Sequence, residues 1–486
     1  MELLLVLISP VHKGGNMSVP KHFCPVALTS HIIKVFERIV RVAVVRHIES
    51  LGLLSDGQHG ARARRSTLTQ LLNYWDSILY DLQQSAGVDS VYLDFSKAFD
   101  KVETGVLEHK IRDGKICGKV GVWLAAFLDS AKRKQAVQVD GVVSDLSPVI
   151  SGVPQGTVLG PVLFLIHIVD IAQGVSQQTT TSSYVDDTRV KRHINDPQSD
   201  CSALQEDLQT VYDWADKVNM MFNSDKFELL RFWTSNIPDW QYLAPDGSAI
   251  EEKGQLRDLG VQISSDLSFT AHINNTITGA NRLIGMVMRT FRRRSRFLMV
   301  TVWKTIIQPK LDYCSQLWSP SDQFNITRLE SVMRNFTSKI DGCEGLNYWE
   351  RLHRLQLLSQ ERRRERYQLI LIWKISQGMV DGYKTTFTNN PRRGRLADVA
   401  SVNLKCSAVV RNAKAASLAV KGCKTFNLLP QCLRDINSPS PDMFKTGLDV
   451  FLDTLPDQPT IPGQIRAATS NSLIDQIQMK NGQHFD

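Results

Sequence analysis

Three aspartates stand where the chemistry of a carboxylate could be used. Asp94 lies in the apolar segment "SVYLDFS" at 90–96, where a carboxylate costs free energy unless it is paired or binds a metal ion. An aspartate that caps a following helix is the common alternative. Asp186 and Asp187 stand at the tip of a predicted hairpin, and a turn made of turn residues would also explain them. Carboxylates that converge from two such places could together hold two Mg²⁺ ions, roughly 3.5–4 Å apart in two-metal sites generally.

The elements that must position these residues are predicted from periodicity and turn residues. Strands are predicted at 90–96, in a hairpin over 133–156 with an Asp140-Gly141 turn, in a hairpin over 179–194, at 226–232 and at 258–265. Helices are predicted within 28–50, 66–85, 159–172 and 202–220. Thr29 or Ser30 would cap the first helix, and Ser66 or Thr67 the second. Residues 159–172 are apolar nearly all round, which indicates a buried helix.

The composition is that of a globular protein. The 486 residues are 42% apolar and 22% charged, which is ordinary for this class. Lys and Arg number 57 against 49 Asp and Glu, so the formal net charge of +8 permits a polyanionic partner without proving one. None of the eight cysteines forms a CxxC pair, which argues against a zinc site or a disulfide framework and favours an intracellular protein. No segment approaches the length of a membrane span, and the apolar N-terminal run predicts a strand rather than a signal peptide.

Beyond about residue 266 the pattern becomes mainly helical and more basic. Six arginines and no acidic residue fall between Asn281 and Val300, at 282, 289, 292, 293, 294 and 296. A second basic run lies at 362–366. The last ~30 residues are polar and contain several prolines, which predicts a loosely ordered tail.

Several motifs in a fixed order resemble a known family. They are "PVHKGGN", "QHGARARRST", "YLDFSKAFDKV", "SGVPQGTVLGPVLF", "YVDDT" and "PKLDYCSQLWSP". Together they are similar to the reverse transcriptase domain of non-LTR (LINE-type) retrotransposons, especially the jockey-like elements of animals. The resemblance covers about residues 8–320 closely and the rest loosely.

The resemblance implies a right-hand polymerase fold of the α+β class. Residues 1–265 would form the fingers and the palm, with an antiparallel palm sheet. Residues 266–345 would form a helical thumb-like region, and 346–486 a helical C-terminal extension with a flexible tail. The implied activity is that of an RNA-directed DNA polymerase, which adds dNTPs to a primer 3′-OH with two Mg²⁺ ions, or Mn²⁺ in their place. The implied partners are an RNA template, a DNA primer and dNTPs, without a membrane, in the cytoplasm or the nucleus.

The resemblance also assigns roles to individual residues. Catalytic roles fall on Asp94, Asp186, Asp187 and Lys226, of which the three aspartates are the implied metal ligands. Nucleotide-binding roles fall on Arg62, Phe99, Gln155 and Gly156, with Phe99 at the position that excludes a ribose 2′-OH. Nucleic-acid contacts fall on Lys13, Arg289, Arg292, Arg293 and Arg294, the arginines in a basic helix at 282–296. A core aromatic at Phe99, a surface lysine at Lys226 and a solvated face on the basic helix are the alternatives.

The chain departs from the family pattern at a few places. Cys24 stands where an arginine is usual, Val169 replaces an amide, and "GARARRS" has Ala61 for Phe and Arg64 for a turn glycine. If that glycine position needs a positive φ, Arg64 would be strained. Full-length elements carry an upstream endonuclease domain that this sequence does not show. We therefore expect a truncated element copy, with an inactive nucleic-acid-binding remnant of a reverse transcriptase as the alternative.

Overall fold

The structure is a computed structural model that describes residues 5–129, 133–233, 239–459 and 471–480. The chain divides into two compact units. The first comprises Met1–Arg65, Gly87–Arg231 and Asn236–Lys253, and the second comprises Ser66–Ala86, Phe232–Ser235 and Gly254–Asp486. Helices and strands together confirm the predicted α+β class. The finer boundaries at residues 265 and 345 stay a prediction.

The strands are β1 Leu5–His12, β2 Phe23–Leu28, β3 Gly87–Leu93, β4 Lys134–Val139, β5 Val142–Val143, β6 Ser147–Pro148, β7 Thr179–Tyr184, β8 Asp187–Ile194, β9 Glu228–Trp233, β10 Glu251–Glu252, β11 Gln255–Asp258, β12 Val261–Ser264, β13 Phe387–Asn390 and β14 Gly394–Ala397. The helices up to the end of α6 are α1 His31–Ser50, α2 Thr67–Asp81, α3 Thr104–Asp113, α4 Gly118–Leu128, α5 Gly160–His167 and α6 Pro197–Lys217. The remaining helices are α7 Thr270–Thr290, α8 Arg296–Val302, α9 Gln308–Asp312, α10 Ser315–Trp318, α11 Gln323–Thr337, α12 Tyr348–Leu355, α13 Gln360–Ser376, α14 Ala408–Ala416, α15 Cys423–Asn427, α16 Gln431–Arg434, α17 Pro441–Leu452 and α18 Leu473–Lys480.

Two sheets organise the first unit. One has the strand order β2-β1-β4-β5, with β6 paired to β4, and the other has the order β10-β9-β3-β8-β7. Strands β3, β8 and β7 pair antiparallel, as predicted for the sheet that carries the aspartates. The pairings β1–β4 and β10–β9 are parallel. The antiparallel part of the second sheet is therefore the part that positions the carboxylates.

Helix α1 begins where a capping residue predicts it, whereas α6 begins at Pro197, before its predicted start at residue 202. Ser30 caps α1 by accepting a hydrogen bond from the backbone N–H of Ile33. Buried α5 has Pro161 in its first turn, although it ends at His167, before the predicted end at residue 172. In α1 the helical spacing is right, but only two of the seven residues on the predicted apolar face, Val40 and Val44, are buried. The other five are exposed, namely Ile32, Val35, Phe36, Ile39 and Ala43. Periodicity identified this helix without identifying the side that packs.

The second unit is mainly helical. Where one strand was predicted at 258–265, the chain forms two antiparallel strands, β11 and β12, with a turn between them. The helices and the tail differ from the predictions in two further places. The predicted basic helix at 282–296 is interrupted, because α7 ends at Thr290 and α8 begins at Arg296. The segment between them bonds to Asp341, whose Oδ2 accepts the N–H of Arg294 at 3.0 Å and whose N–H donates to the Arg294 carbonyl at 3.1 Å. These tertiary bonds replace the helical ones.

The second difference lies in the predicted loosely ordered tail. Residues 473–480 form α18, which buries Leu473 and Ile477. The N–H of Leu473 donates to Glu365 Oε2 at 2.8 Å. This part of the tail is therefore packed, while 460–470 and 481–486 lie outside the described residues. Among the helices that the structure describes, none has the length and apolar content needed to cross a membrane.

Candidate active site

The three predicted carboxylates lie at one end of the second sheet. Leu93 of β3 pairs with Thr188 of β8 across an antiparallel ladder. Asp94 follows Leu93 and Asp187 precedes Thr188, so the register places these two aspartates side by side. Asp186 lies in the tight turn between β7 and β8. Strand register thus brings together the carboxylates of two motifs that are distant in sequence.

Burial and like charges make two of these carboxylates, Asp186 and Asp187, costly to ionise. Burial raises the pKa of Asp186 above its usual range, and the charges of Asp187 and Asp94 raise it further. The positive charge of Lys13 opposes this rise. Burial likewise raises the pKa of Asp187, and Asp94 adds to the rise, although two nearby cations lower it. Negative charge is therefore concentrated at a point where a bound cation would relieve repulsion.

A divalent metal fits these side chains by donor chemistry. Mg²⁺ prefers oxygen ligands and keeps waters and substrate phosphates in its coordination shell, so a few carboxylates suffice. In the described parts of the chain, no group of three or more His, Cys, Asp or Glu side chains is already arranged around a metal position.

Lys226 lies beside the first carboxylate. It ends a 3₁₀ turn, Ser224–Lys226, that leads into β9. Its Nζ donates to Asp94 Oδ2 at 2.9 Å, and the backbone N–H of Asn223 donates to the Asp94 carbonyl at 2.8 Å. The lysine side chain is 62% exposed. Both readings from the sequence, a surface lysine and a residue of the site, are compatible with this position.

Gln155 and Gly156 lie against strand β2. The Gln155 carbonyl accepts the N–H of Ala27 at 2.7 Å. Gly156 has φ +97°, and a Cβ there would lie 2.8 Å from the Ala27 carbonyl oxygen. The glycine is thus required by contact with β2. Cys24, which replaces the usual arginine, donates through Sγ to Gln155 Oε1 at 2.9 Å.

Phe99 is half-buried and stacks on Phe164, with ring centroids 4.8 Å apart and planes inclined by 18°. One face of its ring therefore packs in the core, and the residue keeps some exposure. Because a packed ring has a fixed position, this arrangement is compatible with a steric role towards a sugar as well as with a core role.

Arg62 is held by a carboxylate of its own unit. Its Nε and Nη2 donate to the two oxygens of Glu49 at 2.7 and 2.6 Å, and Nη1 donates to the Ser55 and Gln58 carbonyls. A bidentate pair of this kind is strong and directional. The guanidinium is therefore not free to meet a triphosphate in this conformation. Nearby, Arg64 has φ +58°, so the position that is usually glycine does need the left-handed conformation.

Two further acidic residues of this region were missed from the sequence. Glu37 of α1 is fully buried, and its Oε2 accepts the N–H groups of Val158 and Leu159 at 2.6 and 2.9 Å, just before α5. Burial raises its pKa, and these two hydrogen bonds oppose the rise. Burial also raises the pKa of Asp100, the second acid of "YLDFSKAFD". The motif offered a signal for Asp100, but none marked Glu37 among the other charges of its helix.

The predicted nucleic-acid residues are distributed over both units. Lys13 is exposed after β1 in the first unit. Arg289, Arg292 and Arg293 are exposed in the second unit, whereas Arg294 is half-buried. Arg289 also lines an open groove along α7 of about 440 Å³, which it shares with Thr278, Asn281, Arg282 and Gly285.

Comparisons with known proteins identify the family of the chain. Residues 11–263, just over half of the chain, match the family described as "Reverse transcriptase (RNA-dependent DNA polymerase)". The chain belongs to the reverse transcriptase family. The resemblance that the motifs predicted is confirmed.

The curated relatives come from non-LTR elements. The chain is 27% identical over 358 residues to the probable RNA-directed DNA polymerase from transposon X-element of Drosophila melanogaster, covering 72% of this chain and 39% of the relative. It is 25% identical over 328 residues to the RNA-directed DNA polymerase from mobile element jockey of Drosophila funebris, covering 66% and 35%. The chain thus spans less than half the length of these relatives.

Among solved structures, apo telomerase from Candida tropicalis aligns with a TM-score of 0.42 and 11% identity, over 78% of this chain and 67% of that one. The RNA-dependent RNA polymerase of a human picobirnavirus aligns with a TM-score of 0.33 and 12% identity, over 70% and 59%.

Proposed function

We propose that this chain catalyses RNA-directed DNA synthesis, the addition of dNTPs to the 3′-OH of a primer paired with an RNA template. The observation that carries the proposal is the meeting of Asp94, Asp186 and Asp187 at one end of an antiparallel sheet. The raised pKa values of Asp186 and Asp187 mark concentrated negative charge that a structural role would not need.

In the reaction, the primer 3′-oxygen forms a bond to the α-phosphorus of the dNTP. The bond from that phosphorus to the bridging oxygen breaks, pyrophosphate leaves, and the 3′-hydroxyl gives up its proton. Two Mg²⁺ ions, or Mn²⁺, would lower the pKa of that hydroxyl and stabilise the charge of the leaving group. Asp94 and Asp186 are the proposed metal ligands, with Asp187 adjacent. Lys226, already bonded to Asp94, is the proposed cation for the departing pyrophosphate.

The incoming dNTP would lie against Phe99, Gln155 and Gly156. The packed ring of Phe99 would lie beneath the sugar and exclude a 2′-OH. Arg62 is the proposed triphosphate contact, and for that role it must leave Glu49. Lys13 would add positive charge near the carboxylates, since it already lowers the pKa of Asp186.

The template and primer backbones are the proposed partners of the arginines in the second unit. Arg289, Arg292, Arg293 and Arg294 would contact phosphates, which requires only positive charge near the duplex. Such binding weakens as salt rises, because counterions are released from the nucleic acid. Residues 266–345 would then act as the thumb.

The test is dNTP incorporation on poly(rA)·oligo(dT) with Mg²⁺. Incorporation by the wild-type chain that is lost in Asp186→Asn supports the proposal. Asp216→Asn, an exposed aspartate of the same unit, is the matched control and should leave incorporation unchanged. Equal incorporation by wild type and Asp186→Asn would refute the assignment of this site.

A non-catalytic nucleic-acid-binding protein is the second candidate function. The observation that favours it is the engagement of Arg62 by Glu49, which withdraws a predicted triphosphate contact. Salt-sensitive duplex binding without incorporation, in wild type as well as in Asp186→Asn, would favour this candidate over the polymerase.

A further inference from the structure

A segment distant in sequence covers the turn that carries Asp186. Residues Gly57–Gly60 run beside β7, where the Ser183 N–H donates to the Gly57 carbonyl at 3.0 Å and the His59 N–H donates to the Ser183 carbonyl at 3.1 Å. A Cβ on Gly57 would lie 2.5 Å from the Thr181 carbonyl oxygen. The segment can therefore approach the strand this closely only with glycine at this position.

The side chain of Gln58 binds the backbone of the turn directly. Its Oε1 accepts the N–H of Val185 at 3.0 Å and the N–H of Gly60 at 2.8 Å. Its Nε2 donates to the Val185 carbonyl at 3.3 Å. Gln58 is only 7% exposed, so water does not replace these bonds easily. One amide thus satisfies both backbone groups of the residue that precedes Asp186.

Val185 has an unfavourable backbone conformation. Its φ is +60°, in the left-handed region that a β-branched residue rarely adopts. Such conformations persist where surrounding contacts over-determine them, and they concentrate at functional sites. Here the determining contacts are the Gln58 amide and Gly60, where a Cβ would lie 2.4 Å from Val185 Cγ2. Without them the turn would be expected to relax to a commoner conformation and move the Asp186 carboxylate.

We propose that Gln58 is a positioning residue, which holds Val185 in the left-handed conformation and so aims the Asp186 carboxylate at the metal position. The inference rests on the proposed function, since it gives Asp186 a metal to bind. Gln58 itself would touch neither metal nor substrate. It lies in "QHGARARRS", four residues before Arg62, and the sequence assigned it no role.

The test compares Gln58→Met with Gln205→Met. Methionine keeps the length of the side chain and removes the amide. Gln205 makes the same kind of contact elsewhere in the first unit, accepting the Leu243 N–H at 2.7 Å and donating to the Leu243 carbonyl at 3.2 Å. Mn²⁺ affinity by electron paramagnetic resonance and amide exchange at Val185 are measured in each variant, with a thermal melt to confirm folding.

For Gln58→Met we expect about tenfold weaker Mn²⁺ binding or more, the range typical of residues that support metal ligands. We also expect faster exchange at Val185 and a lower kcat with little change in the KM for dNTP. Gln205→Met should match wild type in all of these. If wild type binds Mn²⁺ through Asp186 and Gln58→Met binds it equally well, the inference is overturned. If Asp186→Asn does not alter Mn²⁺ binding, the proposed function fails instead, and unchanged exchange at Val185 would separately overturn the role of Gln58.

Discussion

Both units bury acidic side chains, and they treat the resulting charge differently. In the first unit, Asp186 and Asp187 lie beside a third carboxylate, Asp94, and burial and then the like charges raise the pKa values of both. In the second unit, burial raises the pKa values of Glu330 and Glu365, and hydrogen-bond donors and cations oppose the rise, first the Tyr348 hydroxyl for Glu330 and the charge of Lys421 for Glu365.

The second set forms what we call the arginine–glutamate cluster: Glu330, Glu361, Arg362, Arg364 and Glu365, all at most 7% exposed. Both oxygens of Glu330 accept the N–H of Gln360, at 3.0 and 3.1 Å. Arg362 donates to the Pro456 carbonyl at 2.9 Å. The basic run at 362–366 is therefore partly a core element, and not an exposed surface for phosphates.

Buried charges that are paired and buried charges that repel one another have different consequences for the protein. Charges that are paired and hydrogen-bonded contribute to one folded arrangement. Carboxylates that are grouped against their own repulsion weaken the fold, and they persist where a cation is to be bound. Substitutions among the site carboxylates should therefore mainly change activity, and substitutions in the arginine–glutamate cluster should mainly change stability.

The largest expected effect is on activity, in Asp186→Asn. Incorporation should fall by about 10³-fold, because several kcal/mol of charge stabilisation is lost with a metal ligand. The melting temperature should equal or exceed that of wild type, because one of three repelling charges is removed. Calorimetry and primer extension on the same preparation check both parts. A destabilised variant would show that the site carboxylates are structural after all.

The next largest effect is on stability, in Arg364→Met. Burial lowers the pKa of Arg364, whereas Glu330, Glu361 and Glu365 favour its charged form. Removing one partner from a buried set of charges costs about 3–5 kcal/mol. For a unit of this size that corresponds to a fall in Tm on the order of 10 °C. Arg363→Met, whose side chain is 27% exposed beside Asp312, is the control and should cost much less. Equal losses of stability in Arg364→Met and Arg363→Met would contradict the idea that the buried cluster contributes to the stability of the second unit.

The sequence predicted the first region better than the second, for physical reasons. Strand alternation and turn residues placed Asp94 and the β7–β8 hairpin, because those signals are local. Gln58 and Glu37 make their hydrogen bonds to backbone groups that are distant in the chain. Periodicity does not reveal contacts of this kind. The burial of Arg364 within the run at 362–366 was not predicted, in part because Glu330, which favours the charged form of Arg364, lies on α11. The break after Thr290 comes from the bonds between Arg294 and Asp341, which propensity does not predict.

A smaller effect concerns the change of stability with pH between about 4.5 and 8, through Glu361. Burial, and then the charge of Glu365, raise the pKa of Glu361 to about 8. A raised pKa means that the folded state holds a proton that the unfolded state has lost, so this stability is complete below about pH 4.5 and disappears as the pH rises through 8. In wild type the free energy of unfolding should fall by up to about 1 kcal/mol per pH unit over this window. Urea unfolding of Glu361→Gln should show a shallower slope, whereas exposed Glu344→Gln should keep the wild-type slope.

The smallest expected effect has the opposite sign and comes from His272 of the same unit. Burial, and then Lys310, lower its pKa to about 4. Its Nδ1 accepts the Gln262 N–H at 3.1 Å, which requires the neutral ring. Below about pH 6.5 His272 binds a proton in the unfolded chain but not in the folded chain. Stability therefore falls as the pH falls towards 4.

In wild type, Glu361 offsets this loss, because its contribution grows as the pH falls. The effect of His272 is therefore best measured in the Glu361→Gln background. There the free energy of unfolding should fall by about 1 kcal/mol between pH 7 and pH 5.5. The further change His272→Gln should flatten the fall, and exposed His353→Gln in the same background should not. A steep fall that persists without His272 would assign the acid sensitivity to other groups whose pKa values are lowered in the folded state.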